Sequence, residues 1–448
     1  MKNSIETVRQ RFLDYGDRQA VYRKGKYVTY RELYKNIEKW RQRLHDMDIR
    51  EGSVCGILGD FSPEIAALFF ALMEEKCILV PFTKEIKEID TFKEIAGVEG
   101  MFTFDEEDHY QWDAYRAQTK KPLIQKQVDA GRSGLVVFSS GSTGKPKGIL
   151  QDCERVMHKF VKERQGWKTV LFLMMDHFGG FNTFLGSLAN GGLAVCIEER
   201  TPDAVCRAIE ATKAELLPTT PTFLNLLIAS RCYKQYDVSS LRLITYGTEM
   251  MNSTTLAKLQ QIFPNAALKQ TYGLSELGVL RSRSKEDGSL WLKVGGGEFE
   301  TKIVDNILWI RAESNMVGYL NAPNPFDEDG WFCTGDEVEQ DGDYIRFVGR
   351  ETDIINVGGQ KVFPAEVEAV LLEDDNVVEA AVYGKKHPLM GQIVAAKLTL
   401  ARPEELKDVS VRVRKYCNER LAKYKVPVKI EIMDASAQHN IRFKKIRG

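Results

Sequence analysis

At 448 residues the chain is too long for one ordinary domain and long enough to bury a sizeable core, so two or three domains or subdomains are expected. Its 62 basic and 63 acidic residues leave a formal net charge of −1, which excludes a global field that recruits nucleic acid or an anionic membrane. The apolar run 65–73 falls well short of the roughly 20 residues that span a bilayer, and the first ten residues lack a signal-peptide core, so a cytoplasmic protein is expected whose partners are small molecules or specific proteins. In chain order, "QAVYRKGKYVTY" at 19–30 gives two β-rich runs about a Lys-Gly-Lys turn, and 31–47 shows apolar residues at helical spacing. "SVCGILGD" is a short buried strand, Ser62-Pro63 opens a helix, and "CILVPF" is the next strand. Strand and helix go on alternating through "GGLAVCIEE", "AELLPTTPTFLNLLIAS" and "LRLITYG", the pattern of a parallel α/β body that runs to about residue 349. Beyond it the texture changes: 344–374 reads as a strand, a charged turn, a short β-rich piece and a helix, and further strands precede a helix at 409–424, so a domain boundary is placed at Arg350–Asp353. Eight cysteines without a C-x-x-C pair argue against a zinc site or a disulfide framework.

The stretch "VVFSSGSTGKPKGIL" at 136–150 is the first with chemistry in it. It is not a Walker loop, because Lys145 is followed by Pro146 where that motif needs Ser or Thr. A strand that breaks into Ser139–Gly144 nevertheless exposes backbone N–H groups and four hydroxyls, with Lys145 and Lys147 adding charge. Taken alone it reads either as a cradle for nucleotide phosphates or as a flexible Gly/Ser connector.

Three further segments narrow the choice. "QTYGLSE" at 270–276, "GWFCTGD" at 330–336, and "GR" at 349–350 followed by "DIINVGGQKVFPAEVE" at 353–368 stand in order behind "SSGSTGKPKG" at 139–148. Together they resemble the signature segments of the AMP-forming adenylating enzymes: acyl- and aryl-CoA synthetases, peptide-synthetase adenylation domains and luciferases. The resemblance covers nearly the whole chain. It implies an α/β fold with a large N-terminal adenylating domain of mixed α/β subdomains, 1–349, and a small mobile α+β lid domain, 350–448.

The implied reaction turns a carboxylate into an acyl adenylate by attack on the α-phosphorus of ATP, with pyrophosphate leaving, and then transfers the acyl group to a thiol. Because anions accumulate, such a site works by positioning and charge neutralisation. By resemblance, Ser139, Ser142, Thr143, Gly144 and Lys147 hold the pyrophosphate end, and Thr143 and Glu276 lie near Mg²⁺, a hard cation that takes oxygen ligands. Asp336 accepts the two ribose hydroxyls and Arg350 adds a charge-assisted bond. Tyr272 stacks on adenine, with Gly247, Thr248, Gly273 and Ser275 beside it; Thr248 and Glu249 depart from the small residues usual in that segment. "LMMDHFGGFNTF" at 173–184 resembles the segment that places a gate beside the substrate carboxylate, here His177, with the pair Gly179-Gly180 supporting a pocket. Asp176 is the kind of residue that binds an ammonium group in amino-acid-activating members, but those usually lack His-Phe-Gly-Gly, so an acid without an α-amino group is favoured.

Two segments depart from the family pattern. Thr352 stands at the usual hinge position, with Asp353 following, and the C-terminal Gly-Lys pair is missing from "HNIRFKKIRG". Lys444, with Arg447 three residues on, keeps the Lys-x-x-Arg spacing and is chosen over Arg442 as the cation reaching the α-phosphate. The lid is expected to close with Lys444 inward, then rotate to present "NVGG" at 356–359 to coenzyme A or to the phosphopantetheine of a carrier protein, between which the sequence does not choose. Three other readings stay open: an amino-acid-activating enzyme serving a carrier protein, a nucleotide-binding protein that has lost catalysis, and a kinase or ATPase releasing ADP.

Overall fold

The computed structural model describes residues 3–86, 88–115, 119–140, 145–280, 282–286, 288–297 and 299–433. Among them the chain divides into two compact units, Met1–Pro218 with Gly273–Leu280 and Ala312–Phe326, and Thr219–Tyr272 with Arg281–Arg311 and Asp327 onward.

Local signals start several helices of the first unit. Ser62 caps Pro63–Glu74 by accepting from the Ile65 amide, and Thr201 caps Pro202–Thr212 in the same way through Ala204. In both, the hydroxyl fills an orphan N–H, and proline supplies the first helical residue, whose own N–H would be unpaired. Thr29 and Glu32 form a reciprocal capping box at the head of Tyr30–Asp46. The helix Pro63–Glu74 is apolar all round and every residue from Ile65 to Met73 is buried, which identifies the longest apolar run as a core helix. No helix of the described residues is long and apolar enough to cross a membrane.

The first unit holds a seven-stranded sheet in the order Gly318–Tyr319, Pro146–Asp152, Gly134–Ser140, Ile78–Phe82, Val54–Leu58, Gly100–Phe104, Tyr110–Ala114. Its centre is parallel, and the strands of the glycine-rich stretch are not: Gly134–Ser140 and Pro146–Asp152 run antiparallel, with Ser139 opposite Lys147. Ser139 and Ser140, expected in a loop, therefore extend the strand. Residues 141–144, which carry Ser142, Thr143 and Gly144, lie outside the described residues. Five aromatic side chains, Trp40, Phe12, Phe69, Phe181 and Phe184, are fully buried in this unit's main core.

In the second unit, parallel strands Leu243–Tyr246 and Ala267–Gln270 accompany a six-stranded sheet containing Phe332–Asp341 and Tyr344–Arg350. Residues 355–432 build a five-stranded sheet of their own, with helices Pro364–Leu371 and Leu406–Asn418 and a separate apolar core from Ile355 to Ile430. The fold is thus α/β with a large N-terminal domain and a small α+β C-terminal one. The last helix stops at Asn418 instead of reaching 424, because Lys423–Lys425 winds into a 3-10 turn. All eight cysteines are free; six are buried, Cys232 is half-buried and Cys333 is exposed.

Candidate active site

In the first unit three separated segments meet. Tyr319 pairs across the sheet with Ile149, so Lys147, two residues before Ile149, lies on the same face as a diagonal neighbour. Its ammonium sits 5.0 Å from the centre of the Tyr319 ring. The Tyr319 hydroxyl donates to Glu276 at 2.8 Å. Burial, and then the negative charge of Glu276, hold that hydroxyl well above its ordinary pKa, so it stays a donor. Glu276 is itself pinned through the backbone, since Met316 N–H donates to its carbonyl and Gln151 donates to the Ser275 carbonyl at 2.6 Å. Gly273 pairs with Val279 in the short hairpin that carries this turn. Asn321 brackets the end of the glycine-rich stretch, accepting from Gly148 N–H at 3.0 Å and donating to the Pro146 carbonyl at 2.9 Å.

A magnesium ion would need oxygen ligands here. Among the described residues no cluster of three or more His, Cys, Asp or Glu could hold a metal alone. One carboxylate with spare lone pairs fits a cation whose remaining ligands come from phosphates and water.

His177 is half-buried and stands at the N-cap of Phe178–Ala189, where its carbonyl accepts from Phe181 N–H. Gly180 serves packing: a Cβ there would lie 2.0 Å from the Met174 carbonyl oxygen, so only glycine lets the helix approach that backbone. Asp176 is buried and accepts from the Thr83 hydroxyl at 3.2 Å, with the positive charge of buried Arg200 nearby. Arg200 in turn grips Asp60 through two bonds of 2.6 and 3.0 Å.

Of the residues expected at the nucleoside, Gly247, Thr248, Tyr272, Asp336 and Arg350 lie in the second unit, and Gly273 and Ser275 in the first. Gly247 and Tyr272 follow the carboxyl ends of adjacent parallel strands, the usual position of ligands in α/β sheets. A Cβ on Gly247 would come within 2.7 Å of the Thr271 carbonyl oxygen, so glycine is required. Thr248, where the family pattern has a small residue, keeps a left-handed backbone with φ of 68°, which costs a β-branched residue strain. Glu249 accepts from the amide and hydroxyl of Thr222 in the first turn of Pro221–Ser230, a position favoured by the helix dipole.

Asp336 stands directly opposite Arg350 in the antiparallel pair, and Arg350 Nε donates to its Oδ1 at 2.8 Å. The Tyr272 hydroxyl donates to Oδ2 at 2.6 Å. One face of the Tyr272 ring lies on Phe347, with centroids 4.6 Å apart and planes at 19°. Sequence reasoning missed Phe347, Tyr319 and Asn321, none of which belongs to a motif quoted from the sequence. Lys444 and Arg442 lie outside the described residues.

The model of the AMP-binding enzyme family matches residues 8–320, and that of the AMP-binding enzyme C-terminal domain matches 366–440. The chain is 24% identical to 4-coumarate–CoA ligase 4 of Arabidopsis thaliana, over 90% of this chain and 82% of that one. It is 25% identical to 2-succinylbenzoate–CoA ligase of Bacillus pumilus, over 93% and 92% of the two chains. Its fold is similar to the anthranilate CoA ligase AuaEII solved with anthranoyl-AMP, with a TM-score of 0.84 over 99% of this chain and 95% of that one at 19% identity. On the family match, which takes in most of its length, the chain belongs to the AMP-binding enzymes and is an AMP-forming acid–thiol ligase.

Proposed function

We propose that the protein activates a carboxylic acid lacking an α-amino group and passes it to coenzyme A. The observation that carries this reading is the double hold on Asp336 by Tyr272 and Arg350, which sets an oriented carboxylate next to an aromatic face, as a nucleoside requires. In the first step an oxygen of the acid attacks the α-phosphorus of ATP, the bond to the bridging oxygen breaks, and pyrophosphate leaves. In the second the thiol attacks the acyl carbon, AMP leaves, and the thiol proton passes to solvent.

In this scheme Lys147, Ser139, Ser142, Thr143 and Gly144 attend the pyrophosphate end, and Glu276 with Thr143 would hold Mg²⁺, which supplies charge neutralisation at the phosphates. Asp336 and Arg350 take the ribose, and Tyr272 with Gly247, Thr248, Gly273 and Ser275 takes the base. His177 gates the acid, and Lys444 serves the α-phosphate. The lid boundary lies at Arg350–Asp353, within or next to the 3-10 turn Glu351–Asp353, and the enzyme works in the cytoplasm. The engagement of Asp176 with Thr83 beside Arg200 supports an acid without an ammonium group. Two of the ligases similar to it bear the names of acids with an aromatic ring, 4-coumarate and 2-succinylbenzoate, which supports an aromatic acid here and coenzyme A as acceptor.

The test is product analysis with ATP, Mg²⁺ and a panel of aryl, fatty, hydroxy and amino acids, with and without coenzyme A. AMP and pyrophosphate in equal amounts, with an acyl-CoA formed from a non-amino acid, is the expected result. ADP as the stoichiometric product overturns it. Adenylation indifferent to coenzyme A points to a carrier protein, and a response confined to amino acids supports the amino-acid-activating alternative. Lys444→Ala separates the half-reactions: adenylate formation is nearly abolished while thiol transfer from a supplied acyl adenylate keeps its rate, with Arg442→Ala as the matched control.

A further inference from the structure

The bond between Tyr272 and Asp336 is not needed for a tyrosine whose task is stacking. A phenylalanine would stack as well, yet the hydroxyl reaches Asp336 Oδ2 at 2.6 Å while Arg350 Nε reaches Oδ1 at 2.8 Å. Asp336 is only 7% exposed, and its backbone N–H is held by the Thr334 hydroxyl at 3.0 Å. A carboxylate offers about four acceptor positions. One donor on each oxygen leaves one position on each, the number a vicinal diol needs.

We propose that the Tyr272 hydroxyl is a positioning residue for ribose recognition, orienting Asp336 so that both sugar hydroxyls are read and coupling that reading to the stacking of the base. Arg350 alone cannot do this, because its side chain is half exposed and a single donor leaves the carboxylate free to turn. With a second donor on the other oxygen the carboxylate plane is fixed. The second donor belongs to the ring that meets the base, and Phe347 behind that ring fixes its tilt. Burial, and then Asp336, keep the hydroxyl protonated well above its ordinary range, so the bond persists through all working pH values. The inference rests on Asp336 being the ribose acceptor.

The test measures Tyr272→Phe against wild type with ATP, 2′-deoxy-ATP and 3′-deoxy-ATP, as kcat/KM for pyrophosphate release and as Kd by calorimetry. Wild type is expected to favour ATP over each deoxy analogue by on the order of 10-fold, as suits hydrogen bonds to a charged group. In Tyr272→Phe the preference falls to about 2-fold for at least one analogue, KM for ATP rises with kcat little changed, and the preference for ATP over GTP persists because the ring remains. Each ratio is internal to one protein, so a partly unfolded preparation does not distort it. Undiminished ribose preference in Tyr272→Phe overturns the proposal. If that variant does not fold, Phe347→Leu decides: loss of ribose preference supports the coupling, and equal weakening toward all three nucleotides overturns it. A wild type that binds ATP with ribose preference but releases no pyrophosphate defeats the ligase reading instead, and calorimetry still decides the role of Tyr272.

Discussion

The two units each contain a tyrosine that donates to a carboxylate, Tyr319 to Glu276 and Tyr272 to Asp336, and they differ in where the nearby cation sits. In the first unit Lys147 rests over the ring, and among the described residues it makes no recorded ion pair with the carboxylate; in the second Arg350 binds the carboxylate itself. Two similar bonds therefore make different tools. An anion held by a neutral donor keeps its charge for a metal, whereas an anion already paired with a guanidinium keeps mainly its geometry, which suits hydroxyl groups. Charge in one place and shape in the other is what substitutions should separate.

The largest expected effect tests the charge. Glu276→Gln preserves shape and removes one charge, and adenylation should fall by about 10²-fold or more, the scale found for groups that stabilise developing charge. Pyrophosphate release across a Mg²⁺ titration checks it, and an unchanged rate at limiting Mg²⁺ removes the metal role. Next, Asp336→Ala should raise KM for ATP by about 10-fold while KM for the acid changes little, since it deletes bonds to the sugar. An equal rise in both would mean a folding defect, and the contrast between the sites would collapse.

Smaller still, Tyr319→Phe should lower the rate about three- to tenfold at limiting Mg²⁺ and less at saturation, because it frees Glu276 without neutralising it. The smallest effect concerns pH. A tyrosine whose folded pKa is raised contributes stability that is complete below its ordinary value near 10 and is lost as pH climbs through the raised value. Activity profiles up to about pH 10 should thus have the same alkaline limb in wild type, Tyr319→Phe and Tyr272→Phe. A limb that disappears in either variant would mean the hydroxyl ionises in the working range.

What could be read directly was what one contiguous stretch of sequence carries, such as 139–148 and 330–336. Asp336 and Arg350 stood in separate motifs, and a hairpin brings them face to face. Tyr319 and Asn321 were hidden because their positions are set by strand pairing with 146–150, about 170 residues away in sequence, and no local periodicity records such a partner. Phe347 read as an ordinary apolar strand residue, since a ring stacked on a distant tyrosine leaves no pattern of its own. Gly180 leaves no such pattern either: it marks backbone pressed against backbone, which a pair of adjacent glycines does not announce.

The distribution of thiols has a practical consequence. Burial pushes the Cys153 and Cys196 sulfurs far up in pKa, so they resist alkylation, while Cys333 is open to solvent three residues before Asp336. A maleimide fluorophore offered at neutral pH should therefore couple first at Cys333, and a Cys232→Ser background removes the one half-buried competitor. The protein thus carries a natural attachment point for a dye on the strand that bears Asp336, and labelling there needs no cysteine-free variant.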